Sequence, residues 1–223
     1  MNIYLVRHGE SMSNLDKAVH KTTADHDISL SPTGISDAQN AGRLIREHLE
    51  RKETAWPKVR LWTSPYRRTR QTADRVEVEL DSWVKDRKEH VLLCEQQFGL
   101  FDGLSDEELQ ERYPDEHAHY QKCEEWGGRF WARMPLGESR FDVGCRVHQA
   151  FGTFHRDNDK HGIDTIVVVC HGVTLRAFVM MWCHHSPEWF DAERNPKNGA
   201  VRLIENGEDY GYLPLEPELE VWP

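Results

Sequence analysis

The chain has 223 residues with a formal net charge of −10, and 38% of its residues are hydrophobic. This length and apolar content predict a folded globular protein and exclude an intrinsically disordered chain. The negative charge argues against a protein that coats nucleic acid or an anionic membrane, although a local basic pocket stays compatible with it.

The first predicted elements are a strand, a loop and a helix. The segment "IYLVRHGES" (3–11) begins as a buried strand and ends in the polar side chains of Arg7 and His8. The stretch 12–27 shows no regular period and is predicted as a long loop. Ser31 and the proline after it then suit the start of the next helix.

Two further apolar runs follow along the chain. "VRLWTSP" (59–65) predicts a strand that ends near Ser64, with a helix directly after it. "HVLLCE" (90–95) is another short strand-like run, and it stops at Glu95. Both runs therefore end in side chains that can take part in chemistry.

The segment of about residues 99–137 is irregular, and we expect it to be an insertion over one edge of the sheet. Ser105 and Glu108 have the spacing of a helix capping box within it. Ser139 then suits the N-cap of a further helix. "DTIVVVCHG" (164–172) is the strongest buried-strand pattern in the chain, and the helix "VTLRAFVMMWC" follows it directly.

Strands that alternate with helices predict an α/β fold. We expect a three-layer sandwich whose mainly parallel central sheet has helices on both faces. Two short β-runs near 200–205 and 210–215 precede an acidic tail that contains proline. Because no linker or internal repeat divides the sequence, we expect a single domain over 1–223.

Cysteine usage and the apolar runs predict the compartment. The five cysteines are odd in number and form no CxxC pair, and Cys94 and Cys170 fall in apolar runs. This pattern is typical of small buried side chains in a reducing environment. We see no signal peptide and no apolar stretch as long as a membrane span, so we expect a cytoplasmic protein with no membrane partner.

The apolar runs end in side chains that can take part in chemistry, and we expect these ends to lie at one edge of the sheet. Ligands of open α/β sheets gather at the carboxyl ends of the strands, so we expect Arg7, His8, Glu95 and His171 to meet there. Guanidinium groups bind phosphate oxygens bidentately, and the helix that opens at Gly172 adds an anion-binding terminus. A neutral imidazole can attack phosphorus while a carboxylic acid protonates the leaving oxygen. These residue types predict phosphoryl transfer without a metal or cofactor.

Several polar residues give weaker signals. "CHHS" (183–186) has no second ligand cluster at a supporting spacing, so we expect no metal site. His20 and His26 are expected to be exposed rather than catalytic.

The chain resembles the histidine phosphatase superfamily, in its phosphoglycerate-mutase-like branch. The resemblance lies in five segments that occur in the family's order: "LVRHGES", "TSPYRRTRQTA", "LLCEQQFG", "GESRFDVGCRV" and "VVVCHG". It implies that His8 is the nucleophile that becomes phosphohistidine. It also implies that Glu95 protonates the leaving group and later activates water.

The same resemblance implies which residues hold the phosphoryl group. Arg7 lies in the motif of the nucleophile, and Arg68 stands four residues after the serine of the second motif. Arg67 and Arg70 fall outside this family pattern, so we expect them to face solvent. Asn14 matches a phosphate-contacting asparagine of the family. His171 matches the second histidine, which stabilises the transferring group.

The family includes phosphatases and mutases, so the resemblance leaves the reaction open. Its mutases resemble one another in a long, arginine-bearing insertion between the acid motif and the "GES" motif, and this interval is shorter here. Acids outnumber bases within residues 103–137, which suggests a poor enclosure for a bisphosphate. The acids are Asp106, Glu107, Glu108, Glu111, Asp115, Glu116, Glu124 and Glu125, and the bases are Arg112, Lys122, Arg129 and Arg133.

We therefore predict a phosphatase that hydrolyses small phosphorylated metabolites. The alternatives are a cofactor-dependent phosphoglycerate mutase and a low-turnover module that binds or senses a phosphorylated ligand. The sequence predicts no nucleic-acid partner and leaves the oligomeric state open, with a dimer as one option. We expect most aromatic side chains near the insertion to pack within it, although one or two in the cleft would suit an aromatic or sugar-like substrate: Phe98, Phe101, Tyr113, Tyr120, Trp126, Phe130 and Trp131.

Overall fold

The computed structural model describes residues 1–52 and 57–214, and within them the strands form one six-stranded sheet with helices on both faces. The strands are β1 (Asn2–Arg7), β2 (Val59–Thr63), β3 (Val84–Glu89), β4 (Thr165–Cys170), β5 (Val201–Glu205) and β6 (Glu208–Tyr212). The helices are α1 (Met12–Leu15), α2 (Pro32–Arg51), α3 (Arg67–Leu80), α4 (Asp106–Arg112), α5 (Pro114–Gly127), α6 (Arg140–His161), α7 (Gly172–Trp182) and α8 (Pro187–Ala192). This three-layer α/β architecture confirms the predicted fold class.

The strand order places β2, β4 and β1 next to one another in the sheet. Across the sheet the order is β3-β2-β4-β1-β5-β6. The first four strands run parallel, whereas β5 and β6 are antiparallel to their neighbours. The carboxyl ends of β1, β2 and β4 therefore meet at one edge of the sheet, where ligands of such folds bind.

The central strands have two buried faces because their side chains alternate between two cores. Ile3 and Leu5 of β1 pack in the cluster that contains residues of α6 and α7. Tyr4 and Val6 pack on the other face, in the cluster that contains residues of α2 and α3. All six residues of β4 are buried. This explains why these strands read as continuous apolar runs.

The predicted helix starts are confirmed by their caps. The Ser31 hydroxyl accepts a hydrogen bond from the Gly34 N–H at 3.0 Å, with Pro32 at the first helical position. Ser105 and Ser139 cap α4 and α6 in the same way, each within a capping box. These side chains satisfy N–H groups that have no partner inside the helix.

The prediction of a strand in residues 90–95 is wrong. Val91–Leu93 form a 3₁₀ turn, and the strand at this place is β3, whose sequence is VKDRKE. Strand β3 pairs only with β2 and lies at the edge of the sheet. Because an edge strand exposes much of its surface, it can carry charged side chains. Such a strand has no apolar run in its sequence by which it could be predicted.

Residues 12–27 and 99–137 also contain more regular structure than predicted. The first stretch holds the short helix α1 and 3₁₀ turns at Lys17–Lys21 and Asp25–Asp27. The second holds α4 and α5. The two segments touch, because Lys21 Nζ donates to Glu108 Oε1 at 2.9 Å.

At the C-terminal end, β5 and β6 form a hairpin whose turn residues Asn206 and Gly207 have positive φ angles of 52° and 86°. The acidic tail and the end of the last predicted β-run lie outside the described residues. None of the helices in the described ranges is both long and apolar enough to cross a membrane.

Candidate active site

A cleft of about 790 Å³ opens at the sheet edge where β1, β2 and β4 end. Five residues predicted for the site line it: Arg7, His8, Asn14, Arg68 and Glu95. Strand β1 ends at Arg7 and leads directly into His8, the short helix α1 carries Asn14, and α3 carries Arg68. Residues far apart in the sequence therefore converge on one cavity.

The loop that carries His8 is held tightly against α2 and α3. A side chain at Gly9 would place its Cβ 2.1 Å from the Gly34 carbonyl oxygen, so only glycine fits this approach. The Gly9 N–H donates to Thr72 Oγ1 at 3.1 Å. These contacts fix the backbone beside His8, which is itself 4% exposed.

The orientation of His8 suits a nucleophile. Its Nδ1 lies 2.7 Å from the Gly9 carbonyl oxygen, which can only accept a hydrogen bond. Nδ1 therefore carries the proton in the neutral ring, and Nε2 keeps its lone pair. Burial and the charges of Arg68 and Arg7 hold the pKa of His8 well below its usual range.

His171 lies next to His8 but is not itself among the side chains that line the cleft. The two ring centroids are 5.3 Å apart, and His171 is fully buried. Its Nε2 is hydrogen-bonded to Ser64 Oγ at 2.9 Å, and its Nδ1 has no partner within the described chain. Burial is the main reason that the pKa of His171 also lies well below its usual range.

The Arg68 guanidinium is already bound to a carboxylate. Arg68 Nη1 and Nη2 lie 3.0 and 3.3 Å from the two carboxylate oxygens of Asp25, and Nη1 also donates to the Asp25 carbonyl at 2.6 Å. The Tyr66 ring lies under the guanidinium, 4.9 Å from its carbon to the ring centroid. The orientation of the Arg68 guanidinium is thus fixed, and its paired N–H donors bind the Asp25 carboxylate in the way in which they would bind a phosphate.

Arg7 is held differently from Arg68, and the two arginines that lie near Arg68 in the sequence face solvent as predicted. Arg7 Nη1 donates to the Pro196 carbonyl, and its buried Nε has no partner among the described residues. Arg67 and Arg70 are half exposed and pair with Asp27 and Glu89 at the surface. The structure therefore confirms that these two arginines face solvent.

The Glu95 carboxylate lies at the N-terminus of α7. It accepts hydrogen bonds from the N–H groups of Gln96 at 3.0 Å, Thr174 at 3.3 Å and Val173 at 3.4 Å. The Thr174 hydroxyl also contacts it at 3.3 Å. Strand β3 does not deliver this residue; the loop after the 3₁₀ turn does.

This contact corrects the role expected for the helix that opens at Gly172. The first free N–H groups of α7 were expected to bind the phosphate, but those of Val173 and Thr174 donate to Glu95. Gly172 itself is buried, and a Cβ there would lie 2.2 Å from Asn195 Oδ1. The N–H groups at this helix terminus are therefore bound to a side chain of the protein.

Asn14 lies at the cleft but its amide oxygen is occupied. Asn14 Oδ1 accepts from the Ser11 N–H and the Ser11 hydroxyl, both at 2.9 Å, and from Asn198 Nδ2 at 3.1 Å. Only its NH₂ group remains to contact a ligand.

Two features of the cleft differ from the sequence-based expectations. His26 is exposed as expected, but His20 lines the cleft, where its Nδ1 lies 3.9 Å from Asp25 Oδ1 and 3.8 Å from Asp102 Oδ1. Asp25 was not singled out at all, because its sequence context carries no motif. Ser64 and Thr174 also support the site, through their contacts with His171 and Glu95. The only sequence signal for these two residues is their position next to motif residues.

Segment 103–137 does not bring its acidic charge to the cleft, although its excess of acids suggested a poor enclosure for a bisphosphate. All twelve of its charged residues are described, and none of the eight acids lines the cleft, whereas Arg129 does. These acids lie on the exterior of the segment, so their number does not describe the charge of the cleft. Phe98 and Phe101 line the cleft, while Phe130 packs in the core and Trp126 is 85% exposed.

Within residues 1–52 and 57–214, no three His, Cys, Asp or Glu side chains come together in a way that could hold a metal ion.

Comparison with known proteins gives relatives over nearly the whole chain. The phosphoglycerate mutase-like protein AT74 of Arabidopsis thaliana is 35% identical over 99% of this chain and 71% of its own. The broad-range acid phosphatase DET1 of Saccharomyces cerevisiae is 26% identical over 99% of this chain and 90% of its own.

Solved structures share the fold. The alpha-ribazole phosphatase from Shigella flexneri has a TM-score of 0.67 at 20% identity and covers 94% of this chain and 93% of its own. A mycobacterial glucosyl-3-phosphoglycerate phosphatase has a TM-score of 0.68 at 19% identity, with 92% of each chain covered. The family model described as histidine phosphatase superfamily (branch 1) matches residues 3–214. The chain therefore belongs to the histidine phosphatase superfamily, branch 1.

Proposed function

We propose that this protein is a phosphatase that hydrolyses small phosphate monoesters through a phosphohistidine on His8. The observation that carries the proposal is the state of His8, whose buried ring is neutral and keeps the lone pair on Nε2. Arg7 and Arg68 line the same cleft, as does a carboxyl group on Glu95. A nucleophile, two cations and a proton donor are the parts that this reaction needs.

In the first step, His8 Nε2 attacks phosphorus and the bond from phosphorus to the ester oxygen breaks. Glu95 gives its proton to the departing oxygen, so the product leaves as an alcohol. Arg7 and Arg68 neutralise the charge on the phosphoryl oxygens. His171, whose Nε2 is held by Ser64, has Nδ1 left for a phosphoryl oxygen.

In the second step, water attacks the phosphohistidine and the bond from phosphorus to His8 Nε2 breaks. Glu95, now ionised, takes the proton of the attacking water and returns to its starting state. Inorganic phosphate is released and His8 is neutral again. Because the arginines supply the positive charge, we propose that the reaction needs no metal ion.

Hydrolysis is preferred to the mutase alternative on two grounds. One relative over the full chain is an acid phosphatase by name, although another is mutase-like. The interval between Glu95 and Glu138 is shorter than in the mutases that the sequence resembles. A binding module with little turnover is less favoured, because the nucleophile, the acid and both cleft arginines are all present.

The test is a phosphatase screen with p-nitrophenyl phosphate and a panel of phosphorylated metabolites. We expect the wild type to release phosphate and His8→Ala to lose this activity by at least about a thousandfold. Incubation with 3-phosphoglycerate and 2,3-bisphosphoglycerate separates the alternatives, because isomerisation faster than phosphate release would identify a mutase. Affinity for these ligands without product would identify a binding module.

A further inference from the structure

Two charged residues of the segment "GESRFDVGCRV" have no part in the reaction proposed above. They are Glu138 and Arg146, and neither side chain lines the cleft. Both are largely buried, with side-chain exposures of 20% and 16%. Charged groups that are this far removed from water are costly unless they are paired and hydrogen-bonded, so their contacts indicate what they do.

The two side chains form a two-point ion pair at the start of α6. Arg146 Nε donates to Glu138 Oε1 at 2.8 Å, and Arg146 Nη2 donates to Glu138 Oε2 at 3.0 Å. Ser139 is the N-cap of α6, so Glu138 stands just before the helix and Arg146 lies about two turns into it. Because the side chains of a helix lean toward its N-terminus, the guanidinium can reach back to the carboxylate.

The Arg146 guanidinium also holds the backbone of the loop that carries Glu95. Its Nη1 donates to the Leu92 carbonyl at 2.8 Å, and its Nη2 donates to the Glu95 carbonyl at 3.0 Å. Residues 94–98 form neither helix nor strand, so their peptide groups need partners from outside regular structure. One guanidinium therefore fixes the chain at Glu95 and at the position three residues before it.

Glu138 holds the same loop on the C-terminal side of Glu95. Glu138 Oε2 accepts a hydrogen bond from the Gln97 N–H at 3.0 Å, and the Glu138 N–H donates to the Gln97 carbonyl at 2.8 Å. The Glu138 carbonyl accepts from Gln96 Nε2, also at 2.8 Å. The ion pair thus fixes the backbone before, at and after Glu95.

The Glu95 carboxylate depends on this backbone because its own contacts with α7 are long. The N–H groups of Thr174 and Val173 lie 3.3 and 3.4 Å from its oxygens, whereas an N–H···O bond is usually about 2.9–3.0 Å long. A small displacement of the loop would therefore carry the carboxylate away from the leaving oxygen. Misplacement of a catalytic group by about 1 Å can lower the rate by about a hundredfold.

We propose that Arg146 and Glu138 are positioning residues, which act on the reaction by holding Glu95 where it can protonate the leaving oxygen. Neither residue touches the substrate or the reacting atoms. The inference rests on the proposed function and assigns a role in it to two residues outside the cleft. Because the pair acts through Glu95, its loss should affect only the steps that Glu95 serves, and it should have little effect in a protein that lacks the Glu95 carboxyl.

The test compares two substrates that differ in their need for an acid. One is the alkyl phosphate of the metabolite panel that wild type hydrolyses fastest, whose leaving oxygen must be protonated. The other is p-nitrophenyl phosphate, whose nitrophenolate leaves without a proton. The quantity measured is kcat/KM, because it covers the steps up to the departure of the leaving group and excludes the later attack of water.

Two variants remove the ion pair with little change in volume. Arg146→Lys keeps the positive charge but loses the paired donors of the guanidinium, and Glu138→Gln keeps the shape of the side chain but loses the charge. Each variant is made alone and in combination with Glu95→Gln. Arg156→Lys is the matched control, because Arg156 is an exposed arginine on the same helix that does not line the cleft.

We expect Arg146→Lys and Glu138→Gln to lower kcat/KM for the alkyl phosphate by about ten- to a hundredfold. The value for p-nitrophenyl phosphate should fall by less than about threefold. In the Glu95→Gln protein, either change should cost less than about a further threefold on both substrates, since residues that act as a unit are not additive. Arg156→Lys should match wild type.

Unchanged kcat/KM for the alkyl phosphate, equal losses on both substrates, or losses that multiply with that of Glu95→Gln would overturn the positioning role and leave the phosphatase standing. Urea unfolding checks that each variant is folded, and Glu138→Gln decides the question if Arg146→Lys is not. Wild type that hydrolyses p-nitrophenyl phosphate alone would have no working acid to position, which would also overturn the inference. No hydrolysis of any substrate would overturn the proposed function, and this inference with it.

Discussion

Asp25 and Arg68 form a two-point ion pair at the cleft, with Nη1 to Oδ1 at 3.0 Å and Nη2 to Oδ2 at 3.3 Å. The carboxylate presents two oxygens to the guanidinium fork, which is the arrangement that a phosphoryl group would use. Both groups cannot occupy the fork at once. Phosphate binding at Arg68 must therefore displace the Asp25 side chain or share the cation with it.

The variant Asp25→Asn removes this competition. We expect inorganic phosphate to inhibit the variant more tightly than wild type by about three- to tenfold, because a partly exposed ion pair is worth on the order of 1 kcal/mol. The measurement is the competitive inhibition constant of phosphate against p-nitrophenyl phosphate. Asp27→Asn is the matched control, since Asp27 lies in the same turn and pairs with the exposed Arg67. Weaker inhibition of Asp25→Asn would show instead that Asp25 orients Arg68 for binding.

The variant Glu95→Gln separates the two steps of the reaction. Glutamine keeps the shape of the side chain but cannot protonate a leaving oxygen or deprotonate water, so alkyl phosphate turnover should fall by about 10² to 10⁴. Nitrophenolate leaves without a proton, so the first step should survive with p-nitrophenyl phosphate. We expect a burst of about one nitrophenolate per site followed by slow turnover, a burst being the fingerprint of a covalent intermediate. Equal losses on both substrates, with no burst, would contradict the role of Glu95.

Two buried histidines predict a pH dependence of stability. The pKa values of His8 and His171 lie well below the ordinary 6.5 in the folded state, chiefly because of burial. Below pH 6.5 the unfolded chain binds protons at these positions and the folded chain does not. The free energy of unfolding should therefore fall as the pH decreases below about 6.5, by up to about 1.4 kcal/mol per pH unit for each histidine.

Urea unfolding at pH 7.5, 6.0 and 5.0 measures this slope. The variant His171→Asn removes one of the two groups while keeping a side chain that can bond to Ser64. Its stability should decline less steeply than that of wild type between pH 6.0 and 5.0. Identical slopes in the two proteins would show that His171 does not stay neutral in the folded state.

The central part of the fold could be predicted because its strands are buried on both faces. β1, β2 and β4 carry apolar residues at most of their positions, and Arg7, His8 and His171 stand at or just after the ends of β1 and β4. β3 could not be found in this way, because an edge strand can be charged along its length. The prediction of a strand at 90–95 was wrong because an apolar run is not always a strand. Its apolar residues belong to a short turn that covers part of the core.

The site itself was predictable only where motifs mark it. His8, Arg68 and Glu95 lie in recognisable segments, and the structure brings them to one cleft. Asp25 has no such mark, since its partner is 43 residues away and the pairing depends on the path of the chain. Arg176 lies in an apolar helix, where the sequence shows a lone cation but not the cavity it faces. Long-range contacts of this kind require coordinates.

The most direct test of the central claim is to trap the covalent intermediate. Glu95→Gln should be mixed with ³²P-labelled p-nitrophenyl phosphate, whose first step does not need the acid, then quenched in alkali and digested, and the labelled peptide located by mass spectrometry. We predict label on His8, because it keeps the neutral Nε2 in the cleft, and no label in the double variant that also carries His8→Ala. Label on another residue, or phosphate release without any labelled protein, would contradict the phosphohistidine mechanism.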